Sequence, residues 1–599
     1  MASTDLRIII AGSGIAGLCA AIALELAGLN YIVLEQEPTS RDNPPNESAD
    51  MTPGGAIQVG PTALHFLRQL GVYEEIQKFS KPVSGFSMNE HDMNYLGRID
   101  MSNHRERYGH HTEVMARSHL HALLLQRVPP KRITPGKILG MIQDKEKVVV
   151  RCSDGSTHEG DILIAADGAF SNVRHTLYWN LDEKKQLPQA DAEPMSADLR
   201  VISGCTKQLD PQKYPVLLDA MSEIQSVQLP DKPYTIWFVP LLDNRIAWDI
   251  TQEVTKTAIR QGEASTVYHW RPRDIEEAME AVKGFECPYG GKVGELIETS
   301  ATESMFFHMT EERLCETWYG GRTVLLGDAV VCQALDKLEL PTNQDGRAKF
   351  TKACHKGFHQ PASEAIVDAV TLVNFLTNMT PESMESLTAT FKEYQSRRFP
   401  TAKAVVEQCT LLRQVFAGRG RAASLKRNFV FNYMPDKMRN MIDDKRNEDR
   451  PQLWFLPQVQ DQGVVKSLPN LPTSLMDSTA AEGPVKLSLE AAMNAALSSP
   501  SSTASSPRSP RGSWSAFSRP AFSMPSAPSV SLFSTFTSSS SSSLASTPSS
   551  PNTASSRKSS MKSPRGSVTK FQDDPKFGRH EEDNVPTEAL VHTGDPVAV

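Results

Sequence analysis

The chain has 599 residues, more than one typical domain, and its formal net charge of −7 argues against a general nucleic-acid binder. Its eight cysteines are scattered and form no CxxC pair, which favours reduced thiols in a cytoplasmic protein over a disulfide framework or a zinc site. No segment offers the roughly 18 consecutive uncharged apolar residues of a membrane-spanning helix. The apolar N-terminal run also lacks the basic leader and small-residue cleavage site of a signal peptide.

The first elements in the chain form the pattern strand, glycine turn, helix, strand. Residues 6–11 are apolar enough for a buried strand, residues 12–17 carry the turn, and an apolar run continues to Ala27. Residues 31–34 predict a second strand that ends on Glu35. This order predicts a Rossmann-like dinucleotide-binding unit.

The positions of the glycines and the acid fit that chemistry. Gly12 permits a tight turn, Gly14 lets a pyrophosphate approach the backbone, and Gly17 lets the helix pack closely on the strand. The amides at the helix N-terminus then receive the phosphates. Glu35 is placed to accept hydrogen bonds from a ribose 2′-hydroxyl, which disfavours the 2′-phosphate of NADP. The pattern therefore predicts bound NAD or FAD.

Three later segments carry further candidate site residues. Residues 115–124 predict a helix with Arg117 at its start, and residues 160–166 predict a buried strand that ends in Asp167 and Gly168. Residues 322–326 predict another apolar strand, followed by Gly327 and Asp328. Taken singly, a strand ending in Asp-Gly is a common turn and an arginine at a helix start is an ordinary surface residue. The functional interpretation depends on their order and spacing.

The region 187–308 is rich in predicted strands and indicates an inserted sheet domain. Residues 234–240 and 245–250 predict a hairpin joined by residues 241–244. Trp237, Phe238 and Trp248 fall on this sheet, where they either pack in the core or line a substrate pocket. Beyond residue 471 the composition changes to Ser, Pro, Thr and Ala, which predicts a disordered tail.

Taken together, these motifs resemble the FAD-dependent aromatic hydroxylases. These are single-component flavin monooxygenases that include para-hydroxybenzoate and salicylate hydroxylases, and the similarity is strongest to fungal members associated with secondary metabolism. It covers residues 5–420 and, more weakly, residues 450–457. It implies an α/β fold with an α+β insertion: a Rossmann-like FAD-binding domain in two parts (1–186 and 309–420), an inserted β-sheet substrate domain (187–308), a C-terminal extension (421–470) and the tail (471–599).

The resemblance also implies roles for the candidate residues. The turn at Gly12, Gly14 and Gly17 would hold the FAD pyrophosphate, Glu35 the adenosine ribose, and Arg117 would contact the cofactor. Residues 55–64 match the family segment that approaches the flavin. Asp167 and Gly168 match a fingerprint for both FAD and nicotinamide, and Gly327 and Asp328 match the pair that contacts the ribityl and pyrophosphate groups.

The implied reaction uses FAD, NADH or NADPH, and O2 to hydroxylate or epoxidise a small aromatic or terpenoid-like substrate through a C4a-hydroperoxyflavin. The cofactor carries the difficult step, so no catalytic side chain and no metal ligand is predicted. His308, His355 and His359 either contact substrate or have ordinary packing and surface roles. A flavin-dependent dehydrogenase or reductase is an alternative, as is a catalytically impaired flavoprotein that acts through its tail.

The chain departs from the family pattern after the second strand-end motif. Residues 330–353 separate Ala329 from Cys354, His355 and Lys356, although the family continues directly into a Pro- and Gly-rich loop at this point. We hypothesise an insertion, from a retained intron or a splice variant. Residues 357–364 also lack the paired glycines whose amides face the flavin ring in the family, which predicts weaker support for a reduced flavin.

Overall fold

The computed structural model of the chain describes residues 6–36, 55–193, 199–229, 232–253, 272–300, 305–310, 313–332, 361–379, 383–416, 418 and 420–469. Residues 333–353 of the predicted insertion, the loop at 354–360 with His355 and His359, and the predicted tail at 471–599 lie outside the described residues.

The N-terminal third alternates strands and helices. Its elements are β1 (Arg7–Ala11), α1 (Ile15–Leu26), β2 (Asn30–Glu35), β3 (Ala56–Val59), α2 (Pro61–Gln69), α3 (Tyr73–Ile76), β4 (Lys81–Glu90), β5 (Tyr95–Asp100), α4 (His104–Tyr108), β6 (Glu113–Ala116), α5 (Arg117–Gln126), β7 (Ile133–Pro135), β8 (Ile138–Gln143), β9 (Val148–Cys152), β10 (Thr157–Gly160), β11 (Ile162–Ala165), α6 (Asn172–Glu183) and α7 (Gln189–Ala192).

Strands dominate the middle of the chain, and helices dominate the end of the described part. These elements are β12 (Leu199–Cys205), β13 (Ser222–Gln228), β14 (Tyr234–Pro240), β15 (Ile246–Glu253), α8 (Pro272–Val282), α9 (Val293–Glu298), β16 (Phe306–Thr310), β17 (Arg313–Leu314), β18 (Tyr319–Gly320), β19 (Thr323–Leu325), β20 (Val331–Cys332), α10 (Pro361–Asn378), α11 (Met384–Phe416), α12 (Gly420–Asn428), a π-helix (Phe429–Tyr433) and α13 (Asp436–Asn447).

A mostly parallel sheet forms the nucleotide-binding half, in the order β18-β19-β11-β1-β2-β7. β1 pairs in parallel with both β2 and β11, and β11 pairs in parallel with β19. Helix α1 is buried on all sides from Ile15 to Leu24 because it packs between this sheet and α10. The predicted strand-turn-helix-strand unit and the α/β class are therefore confirmed.

The second large sheet has the order β16-β12-β15-β14-β13-β4-β6-β3, with β5 paired to β4. β14 and β15 form the predicted hairpin, with Phe238 opposite Trp248. Strands β3 to β6 come from the first part of the chain, so the sheet draws on residues outside 187–308. The domain boundaries given above stay predictions.

The two faces of this second sheet have different partners. Phe238 and Trp248 are core residues that pack with α8 and α9. Trp237 points to the opposite face, where its ring lies 5.3 Å from that of Phe416 in α11. The alternation follows from the two-residue period of a strand.

The segment 450–457 docks on the nucleotide-binding half through backbone hydrogen bonds. The Gln69 amide donates to the Leu453 carbonyl (2.9 Å) and accepts from the Leu453 N–H (2.8 Å). Asn374 of α10 binds the neighbouring backbone in the same way: it donates to the Gln452 carbonyl (2.8 Å) and accepts from the Trp454 N–H (3.2 Å). The weak resemblance over this segment thus coincides with an ordered, largely buried strap.

Among the described helices, none has the length and apolar character needed to cross a membrane.

Candidate functional site

The glycine turn after β1 is crowded at two of its three glycines and open at the third. Gly12 has φ +93°, and its N–H donates to the Leu34 carbonyl (2.8 Å). A Cβ at Gly12 would lie 2.8 Å from the Ala166 oxygen, and one at Gly17 would lie 2.0 Å from the Gly12 oxygen. At Gly14 the nearest atom to such a Cβ, again the Ala166 oxygen, is 4.0 Å away. The protein itself therefore requires glycine at 12 and 17 but leaves space above 14.

Glu35 braces this turn. Its Oε2 accepts hydrogen bonds from the Ser13 N–H (2.6 Å) and the Ser13 hydroxyl (2.8 Å), and the carboxylate is nearly buried. The His121 ring nitrogen Nε2 lies 2.8 Å from the Ser13 carbonyl oxygen. Arg117 begins α5 as predicted, one helical turn before His121 and on the same face. The turn, the acid and the arginine are thus held in one neighbourhood, and the ribose and cofactor roles of these side chains stay predictions.

All three strand-end motifs meet at one edge of the parallel sheet. Ala11 is in register with Ala165, and Ala165 with Leu325. The Ala166 N–H donates to the Ala11 carbonyl (3.0 Å), and the Leu326 N–H donates to the Ala165 carbonyl (3.0 Å). Because the carboxyl ends of parallel strands share an edge, the residues that follow them converge.

Gly168 and Gly327 shape the two turns that join the first at this edge. Gly168 has φ +80°, and the neighbouring Asp167 accepts from the Val173 N–H (3.3 Å). Gly327 has φ +61°, and a Cβ there would lie 3.1 Å from the Ala16 Cβ at the start of α1. Asp328 is half-buried in the 3₁₀ turn Gly327–Ala329. Both turns need left-handed backbone that glycine adopts at low cost.

Arg174, to which sequence reasoning gave no role, links the two turns. Its buried guanidinium donates to the Ala169 carbonyl (2.5 Å) and to the Ala329 carbonyl (3.0 Å). Ser171 caps helix α6 by accepting from the Arg174 N–H (2.9 Å). Arginine suits this position because its donors form a rigid fork that reaches two carbonyls at once.

The Asp368 carboxylate, which was not among the candidate residues from the sequence, fixes the position of Gly327. The Asp368 carboxylate accepts from the Gly327 N–H (3.0 Å) and from Arg398 Nε (2.8 Å). The buried Arg398 guanidinium also binds Glu364 (2.6 Å) and Asp449 (3.2 Å). Burial opposes its charge, but the carboxylates of Asp368, Glu364 and Asp449 raise the pKa of Arg398 above its ordinary value. We name Arg398, Asp368, Glu364 and Asp449 the buried charge cluster.

The sequence held one signal for this cluster. Glu364 and Asp368 stand one turn apart inside an otherwise uncharged, largely apolar helix, and a charged residue at such a position needs a buried partner. Burial raises the pKa of Glu364, and the charge of Arg398 counters that rise.

Residues 55–64 lie beside the start of α10. β3 pairs with β6 so that Ala56 is opposite Ala116, and the Arg117 N–H donates to the Gly55 carbonyl (3.0 Å). The Gly60 N–H donates to the Ser363 hydroxyl in the first turn of α10 (2.8 Å). The structure therefore brings residues 55–64, Arg117 and α10 together.

The first three residues of the predicted insertion at 330–353 are described by the structure. Val330 is fully buried, its carbonyl accepts from the Cys315 N–H (3.2 Å), and Val331 and Cys332 pair with β17. Residues 330–332 therefore belong to the described fold, and the bounds of the insertion stay a prediction. His308 lies on β16, which pairs with β12.

The buried charge cluster generates a prediction for Asp368→Asn. The variant keeps an acceptor for the Gly327 N–H but removes the charge that faces Arg398, so we expect the free energy of unfolding to fall by about 1–3 kcal/mol. Because an amide oxygen accepts more weakly than a carboxylate, Gly327 should be held less firmly, and dinucleotide binding should weaken as well. Thermal unfolding and a binding titration measure the two effects. The exposed helical control Asp182→Asn should change neither, and equal behaviour of the two variants would contradict the positioning role.

Comparison with known proteins supports the family that the motifs indicate. The family described as "FAD binding domain" matches residues 5–261. FAD-dependent monooxygenase verC1 of Penicillium polonicum is 26% identical over 439 residues, which are 69% of this chain and 47% of the relative. FAD-dependent monooxygenases atmM of Aspergillus flavus (23% identity, 75% of this chain, 87% of the relative) and paxM of Penicillium paxilli (24% identity, 77% and 90%) also match. The match spans about half the length of verC1 and most of the length of the other two.

A solved structure shares the fold. The 2,6-dihydroxypyridine-3-hydroxylase from Arthrobacter nicotinovorans matches with a TM-score of 0.53 and 18% identity, over 70% of this chain and 95% of the hydroxylase. The glycine turn, the converging strand ends and these similarities lead to one assignment. The chain contains an FAD-binding domain over residues 5–261 and is similar in sequence to fungal FAD-dependent monooxygenases.

Proposed function

We propose that this chain is an FAD-dependent monooxygenase that uses NADH or NADPH and O2 to hydroxylate or epoxidise a small aromatic or terpenoid-like substrate. One observation carries the proposal: Gly12, Asp167 and Gly327 follow three neighbouring strands and converge at one sheet edge. The open space above Gly14, between crowded Gly12 and Gly17, fits a pyrophosphate at the N-terminus of α1.

Each candidate residue then has a specific task. The Gly12–Gly17 turn binds the pyrophosphate, Glu35 receives the ribose hydroxyls, and Arg117 contacts the cofactor from α5. Asp328 faces the ribityl side, with Gly327 held in place by Asp368. Asp167 and Gly168 serve FAD and the nicotinamide. When bound, FAD supplies electron transfer from the nicotinamide and transfer of one oxygen atom from O2, with the other atom released as water.

One face of the second sheet is apolar, and Phe416 of α11 covers it at Trp237. Ala56 of β3, Ala116 of β6 and Trp237 of β14 belong to one buried apolar cluster. This cluster extends along the second sheet from β3 and β6, next to Arg117, to β14. Such a surface excludes water, and exclusion of water limits the unproductive breakdown of reactive intermediates. It favours a substrate with a substantial apolar surface.

Location and partners complete the proposal. Six free cysteines are buried among the described residues, which supports a reducing, cytoplasmic setting. The partners that we propose are the organic substrate, O2 and NADH or NADPH, with no nucleic acid.

The central prediction of this function is a flavin spectrum that responds to both co-substrates. Purified chain loaded with FAD should lose its visible absorption when NADH or NADPH is added without oxygen, and should regain it in air. With substrate and isotopically labelled O2, one labelled oxygen atom should enter the product. Bleaching and recovery without label in any product would favour the dehydrogenase or reductase alternative, and absence of FAD uptake would favour an impaired protein.

A second prediction addresses the hypothesis of an insertion. Deletion of residues 333–353 keeps β20 and joins Cys332 to Cys354, and we expect it to tighten FAD binding by about tenfold or more. The physical reason is that only residues 330–332 would then separate the strand end from residues 354–360, which is closer to the family pattern. A chain lacking an equally long stretch of the tail, residues 523–543, is the control. Weaker FAD binding in the 333–353 deletion than in this control would refute the hypothesis.

A further inference from the structure

The helix that follows α11 exposes a stripe of large apolar side chains. Leu425, Phe429 and Tyr433 are 71%, 47% and 69% exposed, and their four-residue spacing puts them on one face of α12 and the π-helix. Met438 and Met441 of α13 are exposed as well. Five of the thirteen exposed large hydrophobic residues in the described part of the chain thus lie within residues 425–441. Such a concentration marks an interaction site.

The opposite face of the same helix is firmly packed. A Cβ on Gly97 of β5 would lie 2.3 Å from the Phe431 ring, so that ring lies directly against the strand backbone. Phe431 also packs edge-on against Phe416, with ring centroids 5.5 Å apart. Arg427 donates to the carbonyls of Val415 (2.9 Å) and Gly418 (2.8 Å). The exposed stripe therefore belongs to an anchored helix.

The charge around the stripe is opposite to that of the whole chain. Residues 420–447 contain seven Lys and Arg against three Asp, a net charge of +4, whereas the chain carries −7. Arg421, Lys426, Lys437 and Lys445 are exposed. Aromatic and aliphatic side chains beside basic ones are typical of helices that lie in a membrane interface. Basic residues near an anionic bilayer surface strengthen such binding.

An open groove lined in part by Met441 has the same mixed character. It occupies about 990 Å³ between α11 and α13. Val405, Met441 and Ile442 give it apolar walls. Lys437 and Arg446 add positive charge, while the acidic lining residues are paired with basic ones, Asp444 with Arg107 and Glu448 with Lys445. A phospholipid combines an apolar chain with an anionic headgroup, so its chemistry is complementary to these walls.

We propose that residues 420–447 form a docking surface for an anionic lipid membrane. Leu425, Phe429 and Tyr433 enter the boundary between headgroups and acyl chains, and the neighbouring Lys and Arg side chains face the phosphates. The positive charge selects a negatively charged bilayer over an uncharged one. This inference stands on the described surface and does not rest on the proposed catalytic activity.

Sedimentation of the full chain with vesicles tests the docking surface. We expect binding to vesicles of phosphatidylcholine mixed with phosphatidylserine, weaker binding to phosphatidylcholine alone, and loss of binding at high salt. The triple variant Leu425→Ser, Phe429→Ser, Tyr433→Ser should bind at least about tenfold more weakly. The double variant Lys426→Glu, Lys437→Glu should lose the preference for phosphatidylserine. All substituted side chains are exposed, and thermal unfolding verifies that each variant is folded.

A matched control removes exposed apolar side chains elsewhere. Leu139→Ser with Ile142→Ser acts on β8, where these residues are 51% and 78% exposed, and should leave vesicle binding unchanged. Absence of binding by the full chain, or equal loss in the control and the triple variant, would overturn the proposal. Binding that appears only after removal of residues 471–599 would overturn it too, because the tail would then be the occupant of the stripe.

Discussion

One buried guanidinium joins four stretches of chain that are far apart in sequence. Arg398 of α11 holds Asp368 and Glu364 of α10 and Asp449 of the C-terminal segment, and Asp368 in turn holds the N–H of Gly327. A buried ion pair often adds little net stability compared with apolar packing, but removal of one partner leaves an uncompensated charge. In this protein, the main effect of the buried charge cluster is to fix the positions of the segments that it joins. Arg398 and its carboxylates hold three segments in one arrangement: the strand-end turn at Gly327, the start of α10 and the strap at 450–457.

This arrangement separates the scaffold of the site from its contact groups. Three side chains shape three turns at the sheet edge: Arg174 donates to the Ala329 carbonyl, Asp368 accepts from the Gly327 N–H, and Glu35 accepts from the Ser13 N–H. The proposed cofactor contacts then use backbone amides and a few side chains such as Arg117 and Asp328. Preorganisation of this kind lets a site bind a dinucleotide with little rearrangement of the backbone. In the proposed reaction the cofactor supplies the reactive chemistry, and the protein supplies position and exclusion of water.

The sequence was sufficient to predict the parts of the fold that have local signatures. Residues 6–35 combine glycine spacing with two apolar strands, and residues 234–250 combine alternation with a short loop; both predictions are confirmed by the strand pairing. Arg398 escaped prediction because its partners lie in other segments, and the linking role of Arg174 depends on Ala329, which is 155 residues away. No local pattern specifies such a partner. The same reason hides the contribution of β4 and β5 to the second sheet. Phe238 and Trp248 proved to be core residues, and only the packing of α8 and α9 distinguishes their face from that of Trp237.

We infer that the turn after β1 is built around a bound dinucleotide, and FAD binding by a Gly14→Ala variant tests this directly. A Cβ at this position meets no protein atom closer than 4.0 Å, so Gly14→Ala should leave the free energy of unfolding within about 1 kcal/mol of the parent chain. The same methyl group would occupy the space that we assign to the pyrophosphate. A fluorescence titration with FAD should therefore show at least about tenfold weaker binding in a variant of unchanged stability. Undiminished FAD affinity in a folded Gly14→Ala chain would place the cofactor elsewhere and contradict the account.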